Sequence, residues 1–171
     1  MKNTLKITVR IIDRMSLLSA NLLSMLLLLM IFIVMYEVIA RYLFNSPTSW
    51  ALEAVTMVFG TYMIGGGAYA VLSKAHVNMD IFYTRWSKKN RAIVDACTFP
   101  LVAFYFSVMT WLAIRYAVES FTIAEHAPSV WGPPIYHWKI ILAVGLALLW
   151  LQLISDFIKN LTFALTGERW S

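Results

Sequence analysis

Four long apolar stretches constrain this chain more than any other feature of its sequence. They are Leu17–Tyr36, Ala51–Leu72, Ile93–Tyr116 and Ile140–Phe157. Each is close to or longer than the ~20 residues that a helix needs to cross a hydrocarbon layer. The connections between them are too short to bury a core of their own. The sequence therefore predicts an all-α, polytopic protein with four transmembrane helices in a single membrane domain over residues 1–171.

Positive charge is concentrated on one side of these stretches. Eleven of the 14 Lys and Arg residues precede the first stretch, lie between the second and third, or follow the fourth. They are Lys2, Lys6, Arg10, Arg14, Lys74, Arg85, Lys88, Lys89, Arg91, Lys159 and Arg169. Because Lys and Arg favour cytoplasmic segments, both termini and the middle loop are predicted to be cytoplasmic, an N-in/C-in topology. The net charge of +5 then reflects membrane topology, and we expect no nucleic-acid partner.

The boundaries of the spans are refined by stop signals, to about 16–44, 47–73, 92–118 and 136–160. Pro47 cannot continue the first helix but suits the first turn of the second, with Asn45 or Ser46 as its cap. We therefore expect a tight turn between the first two spans.

Aromatic residues fall near the predicted membrane borders. In the middle loop, Met79, Phe82, Tyr83 and Trp86 recur at helical spacing and are followed by two lysines. This pattern predicts a short interfacial amphipathic helix over about 78–88, seated among phospholipid headgroups. Trp86 and two further tryptophans, Trp131 and Trp138, are expected to act as interfacial anchors.

The spans offer little that could perform chemistry. His76, His126 and His137 fall in loops or at helix ends, whereas haem ligation between helices needs histidines that face each other within the spans. No metal-binding or phosphate-binding motif occurs, and Cys97 has no disulfide partner in the chain. We expect no enzyme activity and no catalytic, cofactor-binding or metal site. A four-helix membrane electron carrier and an autonomous small transporter remain alternatives; the latter would need charged groups at mid-membrane depth, where these spans are nearly free of them.

One group of charges lies where the first two spans meet. Glu37 and Arg41 are four residues apart on the first helix, and Glu53 follows the turn. An antiparallel arrangement could bring Glu53 beside Arg41, whose burial without a partner would be costly. We predict a structural clamp that fixes the hairpin; the alternative is that Arg41 holds a lipid phosphate or a neighbouring subunit.

Three consecutive glycines, Gly65, Gly66 and Gly67, interrupt the second span. In a membrane, small residues allow another backbone to approach closely. We expect them to pack against another helix of this chain or to form a subunit interface.

The runs VIARYLFNSPTSWALE (Val38–Glu53) and GGGAYAVLSKAHVNMDI (Gly65–Ile81) resemble the small membrane subunit of tripartite ATP-independent periplasmic (TRAP) transporters, the Q-type or DctQ-like family. The resemblance covers roughly residues 10–160. The positions that match the family pattern are Arg41, Tyr42, Pro47, Trp50, Glu53, His76 and Asp80.

The resemblance implies a subunit of a sodium-coupled importer of organic acids in the cytoplasmic (inner) membrane of a bacterium or archaeon. Its partners would be a large M-type membrane subunit, which binds the substrate and Na⁺, and a periplasmic P-type substrate-binding protein. The small subunit would extend the scaffold of the large one, without a cofactor of its own. It would also help to receive the binding protein, on an outer surface where we place Trp50, Glu119 and Glu125.

Overall fold

A computed structural model describes residues 2–73 and 88–166. Four helices account for nearly all of them: α1 (Lys2–Tyr42), α2 (Ala51–Leu72), α3 (Lys88–Thr122) and α4 (Tyr136–Thr166). All four are long and apolar enough to cross a membrane. The described residues contain no strand, only an isolated bridge between His126 and Pro134. The prediction of an all-α, polytopic protein is confirmed, while its N-in/C-in orientation stays a prediction.

Three helices extend beyond their predicted spans, at the ends that lead into the chain termini or the middle loop. α1 begins at Lys2 instead of residue 16, α3 at Lys88 instead of 92, and α4 continues to Thr166 instead of 160. Helices extend past a bilayer because polar residues outside it are still able to form the backbone hydrogen bonds of a helix. The predicted interfacial helix over 78–88 lies outside the described residues, except Lys88, which begins α3.

The turn between α1 and α2 differs from the prediction. α2 begins at Ala51, so Pro47 lies in the loop and not in the first helical turn. Neither Asn45 nor Ser46 is the cap: Trp50 occupies the N-cap position without a side-chain cap hydrogen bond, and the Thr48 hydroxyl accepts the Ala51 backbone N–H at 3.3 Å. Asn45 instead lies in the loop, three residues after the end of α1 at Tyr42, in the left-handed conformation with φ of 49°. Such a residue reverses the chain at a helix C-terminus, and the asparagine side chain tolerates this conformation.

The helices pack as a group of three with a fourth at its edge. α2 packs against α1 and α4, α1 also touches α4, and α3 packs chiefly against α4. The α3–α4 contact contains Ala113, Ala117 and Ala143, where small side chains allow close approach. Towards the start of α3 and the end of α4, the contact between the two helices consists of aromatic rings, which we call the aromatic ladder. In this ladder Phe99 stacks on Phe157 and the rings of Phe99 and Phe106 lie 6.1 and 6.5 Å from that of Trp150.

Few side chains are buried inside this arrangement, and large apolar ones are exposed along every helix. Phe32 on α1 is 71% exposed and Phe104 on α3 is 73% exposed. Such a surface suits a protein whose solvent is lipid or another membrane protein. We call the end with loops 43–50 and 123–135 the loop end, and the opposite end, with the start of α1 and the end of α4, the terminal end.

Candidate functional site

The hairpin turn at the loop end is organised around the carboxylate of Glu37. One oxygen accepts hydrogen bonds from the Arg41 guanidinium, with Nε at 2.9 Å. The other accepts from the Thr48 hydroxyl and from the Thr48 backbone N–H at 3.2 Å. Because one acidic side chain joins the last turns of α1 to the loop that leads into α2, it fixes the geometry of the hairpin. Glu37 is therefore the centre of this site, and Arg41 remains half-exposed.

Glu53, the third member of the predicted clamp, has a different partner. Its carboxylate accepts a hydrogen bond from the Ser129 hydroxyl at 2.8 Å. The Ser129 oxygen in turn accepts the backbone N–H of Gly132 at 3.0 Å. The expectation that Glu53 lies beside Arg41 is thus wrong. Glu53, in the first turn of α2, faces the 123–135 loop. The spacing of residues along the first hairpin carries no information about that distant loop. Gly132 has φ of 59°, a conformation that favours glycine.

The 123–135 loop is held to the bundle by a second ion pair. Glu125 pairs with Lys139 in the first turn of α4, and both side chains are about one-third exposed. The Lys139 ammonium, which donates a hydrogen bond to the carboxylate, lowers the pKa of Glu125 below its usual range. Backbone hydrogen bonds from Ala127 to Pro133 and from Ile135 to Glu125 close the loop on itself. The loop is therefore a defined structure and not a slack connection.

Aromatic rings form a row across the loop end. The ring centroid of Trp50 lies 5.9 Å from that of Tyr36 and 6.3 Å from that of Trp131. Trp131 is 43% exposed and Trp50 is half-buried. The row joins α1, the 43–50 loop and the 123–135 loop into one surface. Trp50, which was assigned to docking, and Trp131, which was assigned to anchoring, therefore lie together.

A cavity of about 540 Å³ opens beside this row. Its walls are the last turns of α1 and the segment Ser46–Trp50. Tyr42 is 78% exposed nearby at the end of α1, and Glu119 is exposed near the end of α3. Trp138 lies apart from the row, half-buried in a smaller groove between α2 and α4 beside Thr56 and Gly60.

The three glycines of α2 have three different environments. A side chain at Gly65 would meet Leu23 of α1 at 2.7 Å, and one at Gly67 would meet Leu149 of α4 at 3.4 Å. At Gly66 nothing lies within 4 Å. Gly65 and Gly67 therefore lie at helix contacts within this chain, whereas Gly66 leaves an open surface.

A polar network at the terminal end was not predicted from the sequence. Asp13 on α1 accepts from Gln152 at 3.0 Å, from Ser155 at 3.4 Å and from Lys159 at 2.7 Å, all on α4. The Ser16 hydroxyl donates to Gln152 at 2.7 Å. Gln152 and Ser155 are 1% and 0% exposed. A glutamine within an apolar span was the available signal, because such a group needs a partner in lipid.

His76, Asp80 and Trp86, also singled out from the sequence, lie outside the described residues. Among the charged side chains that are described, Asp13, Glu37 and Glu53 are each engaged by a neighbour in this chain. Such an arrangement can hold helices and loops in place, and it leaves broad apolar faces and a structured loop end for contacts with other molecules.

A comparison with curated proteins finds no match. A family model, described as the DctQ component of tripartite ATP-independent periplasmic transporters, matches residues 30–163. The match begins in the middle of α1 and ends near the end of α4, so it includes the hairpin turn, the glycines and both structured loops. The chain therefore belongs to the DctQ family and is a small, multi-pass membrane subunit of a TRAP transporter.

Proposed function

We propose that this chain is the small permease subunit of a sodium-coupled TRAP transporter that imports an organic acid. In this role it scaffolds the large M-type membrane subunit and helps to dock a periplasmic P-type binding protein. Membership of the DctQ family supports the assignment to a transporter. The substrate, the sodium coupling and the inner-membrane location follow from what such transporters generally do.

The engagement of three carboxylates among the described residues, those of Asp13, Glu37 and Glu53, carries the proposal that this subunit braces a carrier and does not bind the solute itself. A site for Na⁺ needs free oxygen ligands. Asp13, Glu37 and Glu53 instead accept hydrogen bonds or ion pairs from Lys159, Arg41 and Ser129. The coupling ion and the solute are thus assigned to the large subunit, and no catalytic step or cofactor to this chain.

The loop end supports a docking role. A docking surface gains affinity when its groups are already held in their bound positions. The Trp50 and Trp131 rings, the Glu125–Lys139 pair and the Glu53–Ser129 hydrogen bond give this end such fixed positions. We propose that the binding protein meets the loop end around Trp50, Glu119 and Glu125.

Reconstitution in liposomes tests the division of labour. Uptake of radiolabelled organic acids down an inward sodium gradient should require this chain, the large subunit and the binding protein together. Uptake by liposomes that contain this chain alone would show an autonomous transporter and contradict the proposal. Trp50→Ala should lower the rate at limiting binding protein more than at saturating binding protein.

Reporter fusions test the orientation. A reporter active only in the periplasm should give signal when inserted in the 123–135 loop and none at the C-terminus. The opposite pattern would place the loop end in the cytoplasm and rule out docking there.

A further inference from the structure

Arg115 is a charged residue on an outward-facing surface of a membrane-spanning helix. It lies seven residues before the end of α3 at Thr122, which corresponds to about 10 Å of helix at 1.5 Å per residue. Its side chain is exposed in this chain. Neighbours at spacings of three and four residues share its face: Leu101, Phe104, Trp111 and Val118 are 77%, 73%, 59% and 59% exposed. We call these residues with Arg115 the free face of α3.

The guanidinium of Arg115 is directed towards the middle of the membrane. Its carbon lies 5.8 Å from the ring centroid of Trp111, which is one turn closer to the centre of the span. Helical side chains lean towards the N-terminus, and for α3 that direction leads away from the loop end. Arg115 therefore does not extend towards the headgroups, as long cationic side chains near a helix end often do.

Among the described residues, no carboxylate lies within 4 Å of Arg115 to form an ion pair, although three ion pairs form elsewhere among them. Glu119, one turn towards the loop end, is exposed and is not its partner. An indole stabilises a cation only partly. Since an unpaired charge facing hydrocarbon is costly, the isolated chain leaves this group without the anion that it needs.

The direction of the Arg115 side chain favours a protein anion over a lipid phosphate. Its guanidinium lies beside Trp111 and leans away from the loop end, whereas lipid phosphates lie in the headgroup region beyond the end of the helix. A neighbouring helix can present a carboxylate beside Arg115 at its own depth. The packing of α3 fits this, because α3 packs chiefly against α4 and leaves its free face uncovered.

We propose that the large membrane subunit packs on the free face of α3, through a transmembrane helix that carries an Asp or Glu level with Arg115. The proposal rests on the proposed function, since it names the surface through which the scaffold is joined. Arg115 supplies the charge that fixes the depth of the two helices relative to each other, and the apolar residues around it supply the contact area.

Photo-crosslinking in membranes that contain both subunits tests the surface. Phe104→p-benzoylphenylalanine and Val118→p-benzoylphenylalanine should form adducts with the large subunit. The matched control, Phe32→p-benzoylphenylalanine, is as exposed as Phe104 but lies on α1, and should form lipid adducts only. Protein adducts from α1 with none from α3 would overturn the proposal and leave the proposed function standing. Absence of any complex with the wild-type chain would overturn both.

Substitution of Arg115 tests the charge. Arg115→Gln should reduce co-purified large subunit by at least about ten-fold, because its partner carboxylate would remain buried and unpaired. Arg115→Lys should restore part of the yield. The thermal stability of the Arg115→Gln chain alone should be unchanged, since only Trp111 would lose a contact. An unchanged yield of complex, or loss of bound phospholipid with the complex intact, would overturn the proposal.

Discussion

The two ends of the molecule hold their helices together in different ways. At the loop end, the ion pairs join neighbours in sequence: Glu37 with Arg41, four residues away, and Glu125 with Lys139, fourteen residues away. At the terminal end, Asp13 and Lys159 are 146 residues apart. Three of the four paired side chains at the loop end are also more exposed: Arg41 by 51% and Glu125 and Lys139 by about one-third, against 18% for Asp13 and Lys159, whereas Glu37 is 15% exposed.

The contacts at the loop end therefore shape the loops, whereas those at the terminal end arrange the helices. Local pairs at the loop end set the conformation of two connections, and we expect that each can be lost without separating the spans. The network at the terminal end joins the first helix to the last, so it determines which helices stand side by side. The loop end is thus suited to present a surface, and the terminal end to keep the bundle assembled.

The largest expected effect is at the terminal end. Lys159→Met leaves the Asp13 carboxylate in a mostly enclosed site without its cation, and should lower the free energy of unfolding in detergent by about 3 kcal/mol. The double variant Asp13→Asn with Lys159→Met removes both charges and should recover part of this loss. Equal stability of Lys159→Met and wild type would contradict the special role of this end.

A somewhat smaller effect is expected between the two ends, where Gly145 of α4 packs against Ile64 of α2. A side chain at Gly145 would lie 2.4 Å from Cγ2 of Ile64. Gly145→Ala therefore forces α2 and α4 apart and should cost about 2 kcal/mol in thermal unfolding. The control Gly66→Ala meets nothing within 4 Å and should leave stability unchanged or slightly raised. A similar loss of stability in Gly145→Ala and Gly66→Ala would show that the contact between α2 and α4 does not determine the effect of an added side chain.

The hairpin turn should be less sensitive. Glu37→Gln keeps the size of the side chain but weakens its bonds to Arg41 and Thr48, and should lower the thermal unfolding temperature by less than Gly145→Ala does. Proteolysis in the 43–50 loop should become faster, while the contact between α1 and α4 should persist in a crosslinking assay. Loss of that distant contact in Glu37→Gln would break the distinction between the two ends.

The smallest effect concerns the Glu125–Lys139 pair and depends on pH. Because Lys139 lowers the folded-state pKa of Glu125, its contribution to stability is complete above the ordinary glutamate value of about 4.3 and is lost as the pH falls through the lowered one. In Lys139→Gln, the pKa of Glu125 should rise towards its ordinary value. A nuclear magnetic resonance titration of the Glu125 carboxyl measures it, and identical curves for the two proteins would exclude the pair as the cause.

The four helices could be predicted from the sequence because apolar length alone determines what can cross a bilayer. The pairing of Glu37 with Arg41 likewise follows from helical spacing, which places residues four apart on one face. The partner of Glu53 and the network around Asp13 could not be predicted in the same way. Both depend on contacts between segments 76 or more residues apart, and periodicity within one helix carries no information about its neighbours.

The edge position of α3 has a consequence for how the chain is made. α1 and α2 can pair as soon as both have entered the bilayer, but the main neighbour of α3 is translated after it. At 5–20 residues per second, the 44 residues from the end of α3 at Thr122 to the end of α4 at Thr166 take roughly 2 to 9 seconds to emerge. During that interval α3 is surrounded by lipid or by the insertion machinery, and the aromatic ladder that seats it on α4 can form only after α4 has followed.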